Sequence, residues 1–101
     1  MRFSDEEIRR YARQIVLPEL GGHGQEALRR ATLTAASEVE ALYLAGAGVG
    51  RLIVPNEAIA ASARALNPLV HVEVGNVPVA DVSVEQASLF AWRAIKEAIG
   101  L

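Results

Sequence analysis

Short apolar stretches in this chain run into residues that cap helices, and this repeating order restricts the fold more than any other feature. Ala31 to Ala36 precedes Ser37-x-x-Glu40, Arg51 to Val54 precedes Pro55-Asn56, and Val79 to Val84 overlaps Ser83-x-x-Gln86. A serine or asparagine side chain at such a position accepts a first-turn amide hydrogen. A glutamate or glutamine three residues on returns a second bond, so each site marks a helix start. The first helix carries Val39, Leu42, Tyr43 and Gly46 at helical spacing, and Gly48 is placed to end it in the left-handed region. The second turns Ile59, Ala63 and Leu66 inward and breaks at Asn67-Pro68. The last is lined by Val84, Ala87, Ala91, Ile95 and Ala98, with Phe90 and Trp92 widening the apolar arc. Val70 to Val74 alternates in a strand pattern, and Val79 to Val84 reads as a weaker strand. Strands alternating with helices imply a parallel sheet joined by right-handed crossovers.

Two helices are expected ahead of this alternation. Ser4-x-x-Glu7 is a capping box, after which Ile8, Tyr11 and Ile15 share one helical face. Pro18 and Gly21-Gly22 end that segment, and a short helix follows over 24–30. The expectation is one α/β domain over residues 1–101. It has leading helices in 1–30, then a small Rossmann-like, mostly parallel sheet with flanking helices in 31–101.

Composition narrows the function. A chain of 10.8 kDa buries roughly 10,000 Å² on folding, enough for one core. Hydrophobic residues make up 51% and mean hydropathy is +0.22, which is rich for so small a domain and points to an oligomer or a partner protein. Ten basic and twelve acidic residues give a net charge of −2. The clusters Arg9, Arg10, Arg13 and Arg29, Arg30 have acids beside them, so nucleic-acid binding is not expected. Cysteine is absent, which excludes disulfides, thiolate metal sites and cysteine nucleophiles. His23 and His71 lack metal-ligand spacing. No apolar run approaches the length of a membrane span and no signal-peptide pattern is present, so a cytoplasmic location is expected.

Three stretches carry a family resemblance. They are F-S-D-E-E-I-R-R-Y-A-R-Q-I-V-L-P-E-L-G-G-H-G-Q-E-A-L at residues 3–28, A-L-Y-L-A-G-A-G-V-G-R-L at 41–52, and A-R-A-L-N-P-L-V-H-V-E-V at 63–74. Residues 87–101 add a weaker likeness. The sequence resembles a truncated, degenerate member of the ThiF/MoeB/HesA adenylyltransferases, relatives of ubiquitin-activating enzymes. That resemblance implies a Rossmann-like dimer that uses ATP and magnesium to adenylate the C-terminal glycine of a ubiquitin-like sulfur carrier. It also implies that Arg13, in R-Y-A-R-Q, is the arginine that reaches the partner protomer's ATP.

The chain departs from the family where nucleotide is held. The resemblance leads one to expect a G-x-G-G-x-G loop after the first strand, whose glycines admit phosphate to a helix N-terminus. Here Ala36-Ser37-Glu38-Val39-Glu40 follows directly, and no glycine lies between Gly24 and Gly46. Glu38 and Glu40 suit the helix dipole. A carboxylate about 5 Å from a phosphate charge nevertheless costs on the order of 3 kcal/mol at an effective dielectric of 20, roughly a hundredfold in affinity. Pro55 stands where the family has an acid for the ATP ribose. The family's catalytic arginine and lysine stretch is missing, and Lys96 is the only lysine. The glycines of G-A-G-V-G follow a helix and precede a strand, the reverse of the order a phosphate loop needs.

Expected, then, is a non-catalytic module with its nucleotide site lost and no cofactor. Arg13 is the only candidate for a catalytic role. Ile8, Tyr11, Arg13, Ile15 and Leu17 form the candidate interface. The expected partner is a second copy, a full-length relative or a sulfur carrier. The competing reading is a reduced adenylyltransferase that still binds nucleotide, which requires free backbone amides near Ala36 to Glu38. His71 is expected to face solvent or a neighbouring subunit, and His23 to serve a turn.

Overall fold

The structure is a computed structural model that describes Gly24 and residues 26–100. The expected leading helix from Asp5 lies outside the described residues, as do Ile8, Tyr11, Arg13, Ile15, Leu17 and His23. Residues 26–30 are helical and lead into the sheet. The elements that follow are β1 (Thr32–Thr34), α1 (Glu38–Ala47), β2 (Arg51–Val54), α2 (Glu57–Leu66), β3 (His71–Val74) and α3 (Val84–Ala98).

The sheet has the order β1-β2-β3, and both pairings are parallel. Both crossovers step in the same direction, which with right-handed connections puts α1 and α2 on the same face. The two helices pack against each other, and α1 also packs against α3 and β2. All three helices therefore form one layer on one side of the sheet.

The strand sequences match this two-layer arrangement. Leu33, Leu52 and Val72 are in register and turn toward the helices, where Leu52 and Val72 are buried. The flanking rows are Thr32–Arg51–His71 and Thr34–Ile53–Glu73. Thr32, Thr34, Arg51 and His71 are exposed, and Arg51 forms an ion pair with Glu73 across β2 and β3. Parallel strands covered on both faces read as continuous apolar runs. β1 and β3 alternate, and among the described residues the second face carries Thr32, Thr34, Arg51, His71 and Glu73 beside half-buried Ile53. His71 is exposed, as its alternation predicts.

The three caps expected among the described residues are present, and Ser4-x-x-Glu7 lies outside them. Ser37 Oγ accepts the Glu40 amide at 3.3 Å and Asn56 Oδ1 accepts the Ile59 amide at 2.9 Å. Ser83 and Gln86 close a full capping box. Gly48 ends α1 at φ 89°, and Asn67 ends α2 in the extended conformation that a following proline imposes.

Two expectations are corrected. The apolar stripe assigned to α1 is too narrow, because Glu40, Ala41, Leu42, Leu44, Ala45, Gly46 and Ala47 are all buried. The helix is enclosed by the sheet and by helices on its flanks, so its sequence is apolar nearly all round. The second correction concerns Val79 to Val84. Residues 77–83 form no strand, and α3 begins at Val84. Pro78 has no amide hydrogen to give a ladder, and Val84 is drawn into the helix capped by Ser83.

Candidate functional site

In an open parallel sheet, ligands bind beyond the C-terminal ends of the strands. Here that end carries the β1–α1 junction at Ala35 to Glu38, the β2–α2 junction at Pro55-Asn56, and the chain leaving β3 at Gly75.

Backbone hydrogen bonds show how the junction is arranged. Ala31 O accepts from Arg51 N and Ala35 N donates to Ile53 O, so the odd-numbered residues of β1 face β2. The even-numbered positions face the outer edge, and Ala36 continues that series. Its carbonyl accepts from Ala80 N at 2.8 Å. Gly75 N donates to Val54 O at 2.9 Å, and Val77 N donates to Gly75 O in a tight turn about Asn76. The segment from Gly75 to Ala80 thus crosses from the end of β2 to the outer side of β1. It forms a strap over the end of the sheet where a nucleotide would approach.

The Ala36 amide is engaged as well. The Glu40 carboxylate accepts from it and from the Ser37 hydroxyl, with Ser37 Oγ 3.4 Å from Glu40 Oε1. Glu40 is only 8% exposed. Burial raises its pKa above the ordinary glutamate value, and the hydrogen bonds from Ala36 and Ser37 offset part of that rise. Glu38 Oε2 accepts from Ser62 Oγ at 3.0 Å, which ties the start of α1 to α2. A phosphate placed here would meet two carboxylates and an amide already in use. The strap, which sequence reasoning missed, crosses the same end of the sheet. The signal available for it was Pro78 between two valines, a pattern incompatible with an interior strand.

The opposite end of the sheet is assembled differently. Gly50 N donates to Leu28 O at 2.9 Å, and Arg51 N to Ala31 O at 3.1 Å. A Cβ on Gly50 would collide with the Arg29 carbonyl oxygen. The Asn67 side chain donates to Ala45 O at 2.8 Å and accepts from Leu69 N at 3.2 Å. Residues 28–29, 45–51 and 67–69 thereby meet in one hydrogen-bonded region. A groove of about 510 Å³ opens between the turns at 47–50 and 67–70, with Arg29 on its wall.

Of the candidate site residues, Arg13 and the interface set Ile8, Tyr11, Ile15 and Leu17 lie outside the described residues. Among the described residues, no three histidine, aspartate or glutamate side chains gather as a metal site. No described helix is long and apolar enough to cross a membrane.

No family model matches the chain. Similar proteins share part of it. Adenylyltransferase and sulfurtransferase uba4 of Aspergillus niger is 47% identical over 64 residues, 57% of this chain and 13% of that protein. Sulfur carrier protein adenylyltransferase of Thermus thermophilus is 46% identical over 57 residues, 52% of this chain and 21% of that protein. Protein HesA, vegetative, of Trichormus variabilis is 48% identical over 52 residues, 46% of this chain and 20% of that protein. The chain spans between 13% and 21% of the length of these relatives.

Proposed function

We propose that this chain, related over about half its length to the ThiF/MoeB/HesA adenylyltransferases, is a non-catalytic module that pairs with a protein partner. The partner is a second copy, a longer relative, or a ubiquitin-like sulfur carrier of the kind a sulfur-carrier adenylyltransferase acts on. Ile8, Tyr11, Ile15 and Leu17 supply its apolar contacts, and Arg13 an ion pair rather than an ATP contact. No cofactor is required.

One observation carries this reading. Described residues from the three stretches that bear the resemblance meet at the N-terminal end of the sheet, where Gly50 N donates to Leu28 O and Asn67 ties α2 to α1. The departures from the family gather at the other end, where Ala36 is bonded on both sides and Glu38 and Glu40 occupy the first turn of α1. The retained residues support a scaffold that presents a surface, and the altered ones remove reasons to expect acyl-adenylate chemistry.

Two measurements test it together. Sedimentation of the full chain, alone and with a sulfur carrier, is expected to show a dimer or a complex that Ile15→Arg abolishes. Carrier-dependent pyrophosphate exchange is expected to be at background. A monomer that binds no carrier, or exchange that depends on Arg13, would overturn the proposal.

A further inference from the structure

Strand β1 lies at the edge of the sheet, and its outer side is open over Thr32 and Thr34. Leu33 and its odd-numbered neighbours bond β2, so the amides and carbonyls of Thr32 and Thr34 point away from the sheet. Both residues are exposed, and among the described residues these main-chain groups have no bonding partner. The strap takes the next outward position, because Ala80 N donates to Ala36 O. The opposite edge is closed in another way. Odd-numbered residues of β3 bond β2, so Val72 faces outward, and its carbonyl accepts from Arg64 Nη2 at 2.9 Å. One edge of the sheet is thus plugged by a side chain. The other presents a short row of donors and acceptors of the kind that pairs with another strand.

We propose that this edge is taken by β1 of a second copy, running antiparallel, so that the two three-stranded sheets become continuous. Adding β1 to β3 would repeat without end, and Arg64 at Val72 opposes it. Pairing β1 with β1 is two-fold and closes on itself. The residues suit that symmetry. Thr32-Leu33-Thr34 reads the same in both directions, so an axis at Leu33 sets Thr32 opposite Thr34 of the second copy and Leu33 opposite its equivalent. Each threonine pair is then of the hydrogen-bonded kind, exchanging both its N–H···O bonds, and threonines side by side are a favourable cross-strand pair. Leu33, half-buried in one copy, gains an apolar neighbour. Charge agrees too. The same register brings Arg30 of the second copy to Ala36, beside the strap that carries exposed Asp81. Arg30 is largely exposed, and its pair with Glu26 at 3.1 Å leaves guanidinium donors for a second carboxylate. Residues 26–30 are helical, so the extended run of the second copy ends where the strap begins. So short a pairing belongs with the weak contacts, below about 1,200 Å².

The test is made on the full chain carrying Ile15→Arg, which removes the contact proposed for the leading residues, so the two ideas fail separately. Amide hydrogen exchange is followed by NMR. Exchange at Thr32 and Thr34 is expected to slow about threefold between about 0.05 and 1 mM protein. Thr34→Pro removes an outward donor and none of the bonds to β2, a position where edge strands accept proline. Thr32 is then expected to exchange at one rate at every concentration. Exchange that ignores concentration before the proline is added, or depends on it equally afterwards, would overturn the proposal. A second measurement avoids any folding defect of the proline variant. The chain has no cysteine, and Leu33→Cys would set two thiols across the axis. Their Cα atoms would be about 4.5 Å apart, within disulfide range. Leu33→Cys is expected to link two copies faster than Leu69→Cys, although Leu69 is 94% exposed and Leu33 is half-buried. Slower linking than at Leu69 would overturn the pairing as well.

Discussion

Gly50 lies against the carbonyl of Arg29 so closely that no side chain can stand between them, and its amide bonds the Leu28 carbonyl. The obstacle is backbone, held by its own hydrogen bonds, so it cannot yield as a flexible side chain would. Gly50→Ala is expected to destabilise the fold by about 1–3 kcal/mol or more, read by urea unfolding. Gly48→Ala provides the contrast. Its added Cβ would meet open space, and the cost is the left-handed conformation alone, about 1–2 kcal/mol. Equal tolerance of both alanines would mean that the leading stretch is not seated on Gly50.

Asn67 joins two helices through one side chain, because its amide reaches Ala45 O while its oxygen receives Leu69 N. Asn67→Ala leaves a part-buried carbonyl and an amide without these partners. A loss of about 1–3 kcal/mol is expected in thermal or denaturant unfolding. Asn67→Asp should keep the Leu69 bond and lose the Ala45 bond, placing it between the two.

Glu40 makes stability depend on pH in an unusual direction for an acid. Its folded pKa is raised by burial above the 4.5 of an ordinary glutamate. Below that ordinary value both states are protonated and the favourable contribution is fully present. As pH rises through the raised folded pKa, the buried side chain must ionise and the contribution is lost. Glu40→Gln removes this titration. The stability of the glutamine variant relative to the parent is therefore expected to rise from acidic toward neutral pH and then level off. A difference that is flat with pH, or falls, would contradict the stated environment of Glu40.

Much of the fold is legible in the residues because local chemistry decides it. Ser37, Asn56 and Ser83 accept the amides that their positions predict, and Arg51–Val54 is a strand with the bounds read from R-L-I-V. Polar alternation in H-V-E-V appears as a half-exposed strand. The path of the strap was not legible, because Pro78 in V-P-V-A-D-V argues only against an interior strand and the bonds to Val54 and Ala36 alone reveal a crossing. The near-complete burial of α1 was missed for a similar reason: it depends on α3 packing beside it, a tertiary fact that helical spacing does not carry. At the altered junction, the sequence placed Glu38 and Glu40 in the first turn, but not the return of the Glu40 side chain to Ala36.

The central proposal is that the end of the sheet where related adenylyltransferases are expected to hold nucleotide has no such role in this chain. Calorimetric titration of the full chain with ATP and magnesium tests it most directly. The expected result is no saturable heat at nucleotide concentrations up to the millimolar range, in the wild type and in Arg13→Ala alike. Saturable micromolar binding that Arg13→Ala weakens would contradict the claim and restore the chain to the nucleotide-using enzymes.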